Sequence, residues 1–323
     1  MKTTKLKQIF SAAVVTAMIA APISATPEIS FDGAFNLNGS KIKNAKMNEF
    51  TDVKMNIEGE VADGVNATAI LRVGDTNSTR VEEAYLTFDN IVDTLLGDLT
   101  SGAEMFNFRT SLGQKAIQFG TEGNKYFNET QFIGKSLVAQ NITGTEITTG
   151  EGAEVSFELP TPAPVNLSIG AFEDTNGATN LGTSRPLYTL RTTTELEVSN
   201  YTINLGASVL LPDNKNTALG IDATLSMDAY SLGLEVASQK NDTASETDQF
   251  YAATLGYEIN DTYAVAVRYT GTKKDAASAT DQKVLSLLGT KQLSDTAKIQ
   301  IQYNNNKDTG ADSDIQAQFV IRL

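Results

Sequence analysis

Along most of this chain apolar residues alternate with polar or small ones, and short clusters of Gly, Asn, Asp, Ser and Pro interrupt the alternation. A period of two puts successive side chains on opposite faces, so each run reads as a β-strand with one apolar face. The clearest runs are 65–71, 201–209, 230–236 and 263–269. Extended along the chain, the pattern predicts sixteen strands, near 29–42, 51–62, 65–74, 80–90, 104–116, 152–160, 165–174, 187–199, 201–211, 217–227, 229–238, 249–259, 262–272, 282–293, 296–305 and 313–323. Helical periodicity is confined to a turn or two, the one candidate being 91–96 within the link 91–103.

The connections alternate in length. Asp63-Gly64, Asn200, Asp228, Asn260-Asp261 and Ser294-Asp295 mark tight turns, whereas 43–50, 212–216, 239–248, 273–281 and 306–312 are longer and polar. Transmembrane β-barrels have this asymmetry, with short turns inside and long loops outside, and an even strand count brings both ends of the strand series to one side. Pro160, Pro162 and Pro164 read as a stiff turn, because strands of one character flank them and proline cannot continue a ladder. Residues 26–323 are therefore expected to form one barrel domain. Ile315, Ala317, Phe319, Ile321 and Leu323 share one face of the last run, as expected of a strand that pairs with the first to close a barrel. Segment 117–151 is far longer than any other connection, and a loop of that length in a compact domain is usually functional.

The first 25 residues follow another rule. Lys2, Lys5 and Lys7 precede an apolar run from 9 to 23 that closes on Ile23-Ser24-Ala25, the pattern of a signal peptide cleaved after Ala25. The run is about 15 residues, short of the roughly 20 that a spanning helix needs. Past it no apolar run approaches that length, while a strand crosses a bilayer in about ten residues.

Composition then removes whole classes of chemistry. With no Cys and no His there are no disulfides, no thiolate or imidazole metal ligands and no triad built on either residue. Catalytic residues, metal sites and cofactors are not expected, and paired acids such as Glu58 and Glu60 read as charges on one wet strand face. The net charge of −14 becomes more negative once the three signal lysines are removed, which argues against nucleic acid as a partner.

Three stretches carry a family resemblance: Val81-Glu82-Glu83-Ala84-Tyr85-Leu86-Thr87-Phe88, then Phe108-Arg109-Thr110-Ser111-Leu112-Gly113-Gln114-Lys115, then Gln118-Phe119-Gly120 opening the long segment. In that order they resemble the bacterial outer-membrane porins, general and phosphate-selective, of sixteen strands. The resemblance implies an outer-membrane barrel of a Gram-negative-type bacterium, commonly a homotrimer, in contact with outer-membrane lipid. It also implies a loop after the fifth strand, here 117–151, that folds inward and constricts a diffusion channel for ions and small hydrophilic solutes. Two features depart from the family pattern: the chain ends in Leu323 rather than an aromatic residue, and it has no Trp, leaving ten Tyr and fourteen Phe for the interfacial girdles.

Strand parity assigns the charges. Lys54, Arg72, Arg109, Arg191 and Arg268 each fall between outward-facing neighbours and so point into the lumen, and these four arginines are most of the seven in the chain. The implied inward loop would carry Glu122 and Glu129, with Lys125 and Lys135 nearby. One reading is a pore constriction with a transverse field, a cationic wall facing an acidic loop. The other is that each arginine pairs with a neighbouring acid in a polar interior. The net charge suggests a weak cation preference, and no lysine ladder of the kind an anion pathway needs is evident. Against the channel stands a structural or adhesive surface barrel with a plugged lumen. A secreted β-sandwich fits poorly, since lumen-side positions read as polar or small and supply no second buried face.

Overall fold

β-branched, leucine and tyrosine side chains at every second position give the outer face of the wall over residues 165–307 a continuous apolar surface, and closure of the sheet removes its unpaired edges. The computed structural model describes residues 28–39, 48–73, 79–89, 108–125, 130–143, 148–174, 186–212, 216–241, 246–275, 280–307 and 313–322. Among them the strands are β1 (Glu28–Gly39), β2 (Asn48–Ala62), β3 (Val65–Val73), β4 (Thr79–Asp89), β5 (Arg109–Ala116), β6 (Thr149–Leu159), β7 (Val165–Asp174) and β8 (Pro186–Val198). The second half of the wall is β9 (Tyr201–Pro212), β10 (Asn216–Met227), β11 (Tyr230–Asn241), β12 (Glu246–Asn260), β13 (Tyr263–Lys273), β14 (Lys283–Ser294), β15 (Ala297–Lys307) and β16 (Asp314–Arg322). One helix, α1 (Leu137–Ile142), lies in the connection between β5 and β6. The signal segment 1–25, the link helix expected near 91–96 and Glu129 fall outside the described residues.

Each strand pairs antiparallel with its sequence neighbours, and β1 pairs with β16 to close the ring, with Phe35 opposite Phe319 and Gly33 opposite Ile321. Every predicted run lies on a strand, and most boundaries shift by a few residues; β2 starts at Asn48 and β12 at Glu246, inside stretches expected to be loop. The tight turns sit together at one end. Gly64 has φ +67° and Asp228 φ +46°, left-handed conformations that two-residue hairpin turns require.

Outward positions are exposed and apolar: Leu205, Ile221, Leu234, Leu255, Val267, Leu287 and Ile301 stand on successive strands from β9 to β15. Tyrosines bound this belt at two levels. Tyr201, Tyr230, Tyr257 and Tyr263 lie at the turn end, and Tyr188, Tyr251, Tyr269 and Tyr303 toward the long-loop end. Six residues separate the two levels on both β12 and β13, about 20 Å along the strand at the usual rise. These rows supply the interfacial girdle without tryptophan.

The inner face departs from expectation. Phe172, Leu187, Leu210, Ala218, Ala237 and Phe250 point inward from β7 to β12 and are buried. The expectation of a lumen lined only by polar or small residues is therefore corrected: toward the long-loop end of this wall an apolar strip awaits a cover. Ile117, Phe119, Val138 and Ile142 of the β5–β6 connection supply it, and all ten side chains form one cluster.

Candidate functional site

The β5–β6 connection enters the barrel because its sequence carries the apolar residues that fit the strip. Ile117, Phe119, Val138 and Ile142 are fully buried, and α1 rests against β11, β12 and β13. Ser136 caps α1, its hydroxyl accepting from the Ala139 amide at 3.2 Å. Fit at the wall is close. A Cβ on Gly220 would meet the Phe119 ring at 2.7 Å, and a Cβ on Gly120, where φ is +59°, would lie 1.7 Å from a Glu235 carboxylate oxygen.

Polar contacts then fix the loop at intervals from β9 to β15. The Gly120 amide donates to Ser208 Oγ at 3.1 Å, and Thr121 Oγ1 donates to Glu235 at 3.0 Å. Gln302 on β15 holds Ile133 through both groups of its amide, accepting from the backbone N–H at 2.8 Å and donating to the carbonyl at 3.1 Å. Its neighbour Gln300 donates to the Gln131 carbonyl at 3.0 Å, so two side-chain amides do for segment 131–133 what a strand would do. The Leu137 amide donates to Thr270 Oγ1 at 3.1 Å.

Arg268 is the centre of this attachment. It is 4% exposed, pairs with Glu122 at 3.2 Å, donates to the carbonyl of Gly134 at 3.2 Å, and lies 4.4 Å from the Phe132 ring centroid. Glu122 also accepts from the Ser136 amide at 2.6 Å, and Lys135 Nζ donates to the Gly123 carbonyl at 2.8 Å. Arg268 and Glu122, expected on opposite sides of the pore, are one buried ion pair.

The other expected cations separate into groups. Arg191 forms a two-pronged pair with Asp222 on β10 at 3.0 and 3.2 Å and donates to Ser208 at 2.6 Å. Arg109 sits at the turn end, half exposed, against Asp89 at 2.9 Å. Lys54 and Arg72 are register partners on β2 and β3, and Arg72 is in turn opposite Arg80 on β4. These three cations form a row across adjacent strands, with Glu82 buried beside them at 3.3 Å from Arg72 and 2.5 Å from Arg80. Sequence reasoning missed Arg80 because it stands at the strand start, where an irregular register between Ile70 and Leu71 inserts Glu82 and breaks simple alternation. A second inward ion pair that it missed joins Lys115 to Glu154, beneath Tyr85.

Two polar chambers flank the loop. One, of about 270 Å³, lies toward the turn end, where Glu122, Lys125 and Glu235 meet hydroxyls of β10 to β12. The other, of about 410 Å³, lies toward the long-loop end against β13 to β16. Arg268 and the segment 130–137 stand between them. Among the described residues no acidic group has the clustering a metal ion needs.

A closed antiparallel barrel with an apolar belt, tyrosine girdles, a wet interior and an inward-pinned loop defines a channel-type outer-membrane protein. The Gram-negative porin family model matches residues 11–311, and the chain belongs to that family. It is an outer-membrane porin of the Gram-negative type. Solved structures share the fold at low identity. A loop L8 deletion mutant of OmpT from Vibrio cholerae superposes with TM-score 0.63 at 10% identity, over 92% of this chain and 99% of that one. OmpF of Salmonella typhi in complex with daunomycin gives 0.62 at 10%, over 92% and 97%. The trimer form of in-vitro folded Vibrio cholerae OmpT gives 0.60 at 10%, over 92% and 99%. Comparison with curated protein sequences gives no match.

Proposed function

We propose that the barrel is an open, passive pore for ions and small hydrophilic solutes with a weak cation preference, and that it carries no catalytic step. The single observation behind this is the pair of polar chambers on either side of a loop pinned to the wall. A plug would fill that space with packed side chains; here hydroxyls, amides and charges line it. The constriction runs between the loop, with Glu122, Lys125 and by sequence Glu129, and the opposite cation row of Lys54 and Arg72 extended by Arg80. Arg191 and Arg268 act there as struts, and Arg109 guards the turn-end mouth.

The cation preference rests on the charges of the turn-end mouth rather than on the cation row. Asp222, Glu122 and Asp89 neutralise Arg191, Arg268 and Arg109, while register turns Glu58, Glu60, Glu158, Glu195 and Glu197 toward the lumen near the turn end. Acids lining a pore mouth raise the local cation concentration. We further propose export on a cleavable signal, residues 1–25, and assembly as a homotrimer. In support of the trimer, one of the structures that share this fold, in-vitro folded Vibrio cholerae OmpT, is a trimer form.

Single-channel recording of purified protein in planar bilayers, with the reversal potential taken across a salt gradient, tests the reading. Stepwise conductance with a cation-biased reversal potential is expected. A folded, inserted barrel that carries no current would sink the pore and leave a structural surface role.

A further inference from the structure

The chamber toward the long-loop end is walled by side-chain amides to an unusual degree. Gln140 comes from α1, Gln282 from the approach to β14, Gln302, Asn304 and Asn306 from β15, and Gln316 from β16. The charges at its edge are occupied. Arg268 is committed to Glu122 and the loop carbonyls, and Lys135 Nζ donates away from the chamber to Gly123. Asp314 is met by amide donors, accepting from Gln316 at 2.8 Å, Asn304 at 3.3 Å and Asn306 at 3.4 Å. Around it Ser286, Asn304 and Gln302 are linked in a buried chain, Ser286 Oγ to Asn304 Oδ1 at 2.7 Å and Gln302 Nε2 to the same oxygen at 2.8 Å.

We infer that this chamber is a binding subsite for uncharged polyhydroxylated solutes of mono- or disaccharide size. This rests on the pore reading above and names a solute class for it. A side-chain amide carries two N–H donors and an acceptor oxygen, and a hydroxyl group is both donor and acceptor, so the amide positions not spent on Asp314 or the loop match adjacent hydroxyls whichever way each turns. The buried chain of contacts holds Gln302 and Asn304 in place, so the amide wall is set before a solute arrives. With Arg268 paired to Glu122, Asp314 and Lys135 leave one charge of each sign in the lining, so it favours neither anions nor cations. A volume of about 410 Å³ lies within the usual range of small-molecule sites. The site holds its solute weakly, because each new hydrogen bond replaces one to water and, among the described residues, the lining includes no aromatic face for a sugar ring. Weak retention is what a conducting path needs: entry is favoured and exit remains fast.

The test uses the full-length folded protein in detergent, with sucrose as the probe and tetraethylene glycol, which has acceptors but few donors, as the control. Ligand-observed saturation-transfer NMR should show transfer to sucrose well above transfer to the glycol. Gln282→Leu, which lies outside the strands, and Gln316→Leu should each lower the sucrose signal several-fold, with folding checked by the mobility shift of unheated samples on gels. Equal transfer to both probes, or an undiminished sucrose signal in folded Gln282→Leu, overturns the proposal. Because the measurement needs no current, it is decided separately from conductance; a barrel that conducts but ignores sucrose keeps the pore and loses the subsite.

Discussion

At the scale of single residues, parity gives a charged side chain its direction and not its partner. Arg72, Arg191 and Arg268 were legible as inward from their flanking residues alone. That Arg268 meets Glu122 was not, because the pair spans 146 positions and depends on how a loop lies. The inward apolar strip left a trace that was readable in retrospect: Ala171-Phe172, Leu187-Tyr188, Leu210-Leu211 and Phe250-Tyr251 are adjacent apolar pairs, where strict alternation fails and one member must face in. For the Arg268–Glu122 pair, truncating one partner strands a buried charge, at a cost of about 3–5 kcal/mol, while replacing both costs much less. Arg268→Ala should therefore loosen the loop and raise open-channel noise, and Arg268→Met combined with Glu122→Gln should recover most of the quiet trace. Equal noise in the single and double variants would show that the pair does not hold the loop.

At the scale of elements, the strands were legible because one physical rule, a face for lipid and a face for water, acts on each of them. The β5–β6 connection was legible only by its length. Its placement depends on the match between four loop residues and a strip contributed by six strands, which no local pattern encodes. Phe119 is the largest of those loop residues and is fully buried. Phe119→Ala should remove about 3–5 kcal/mol of attachment, and Gly220→Val should evict the same ring from the other side. Both variants should keep heat-stable barrels and show faster limited proteolysis within 117–143 together with larger single-channel conductance. If both conduct as the parent does, the loop is held by its polar contacts alone.

At the scale of the whole molecule, the oligomeric state is the first question the closed barrel raises. Light scattering on the detergent-solubilised protein should give three chains per particle, and a monodisperse single chain would remove the trimer. The sheet also has a temporal order built into it. Fifteen of its sixteen seams join neighbours in sequence, and one, between β1 and β16, joins residues nearly the full chain apart, Asp32 opposite Arg322. Loop-closure entropy grows only with the logarithm of length, so this last seam costs about 2 kcal/mol more than one bridging a tenth of the distance. Its difficulty lies in timing rather than energy. Hairpins can zip as they emerge, but until the final strand arrives the first presents an open edge, and the growing sheet is most vulnerable to mispairing just before it becomes a ring.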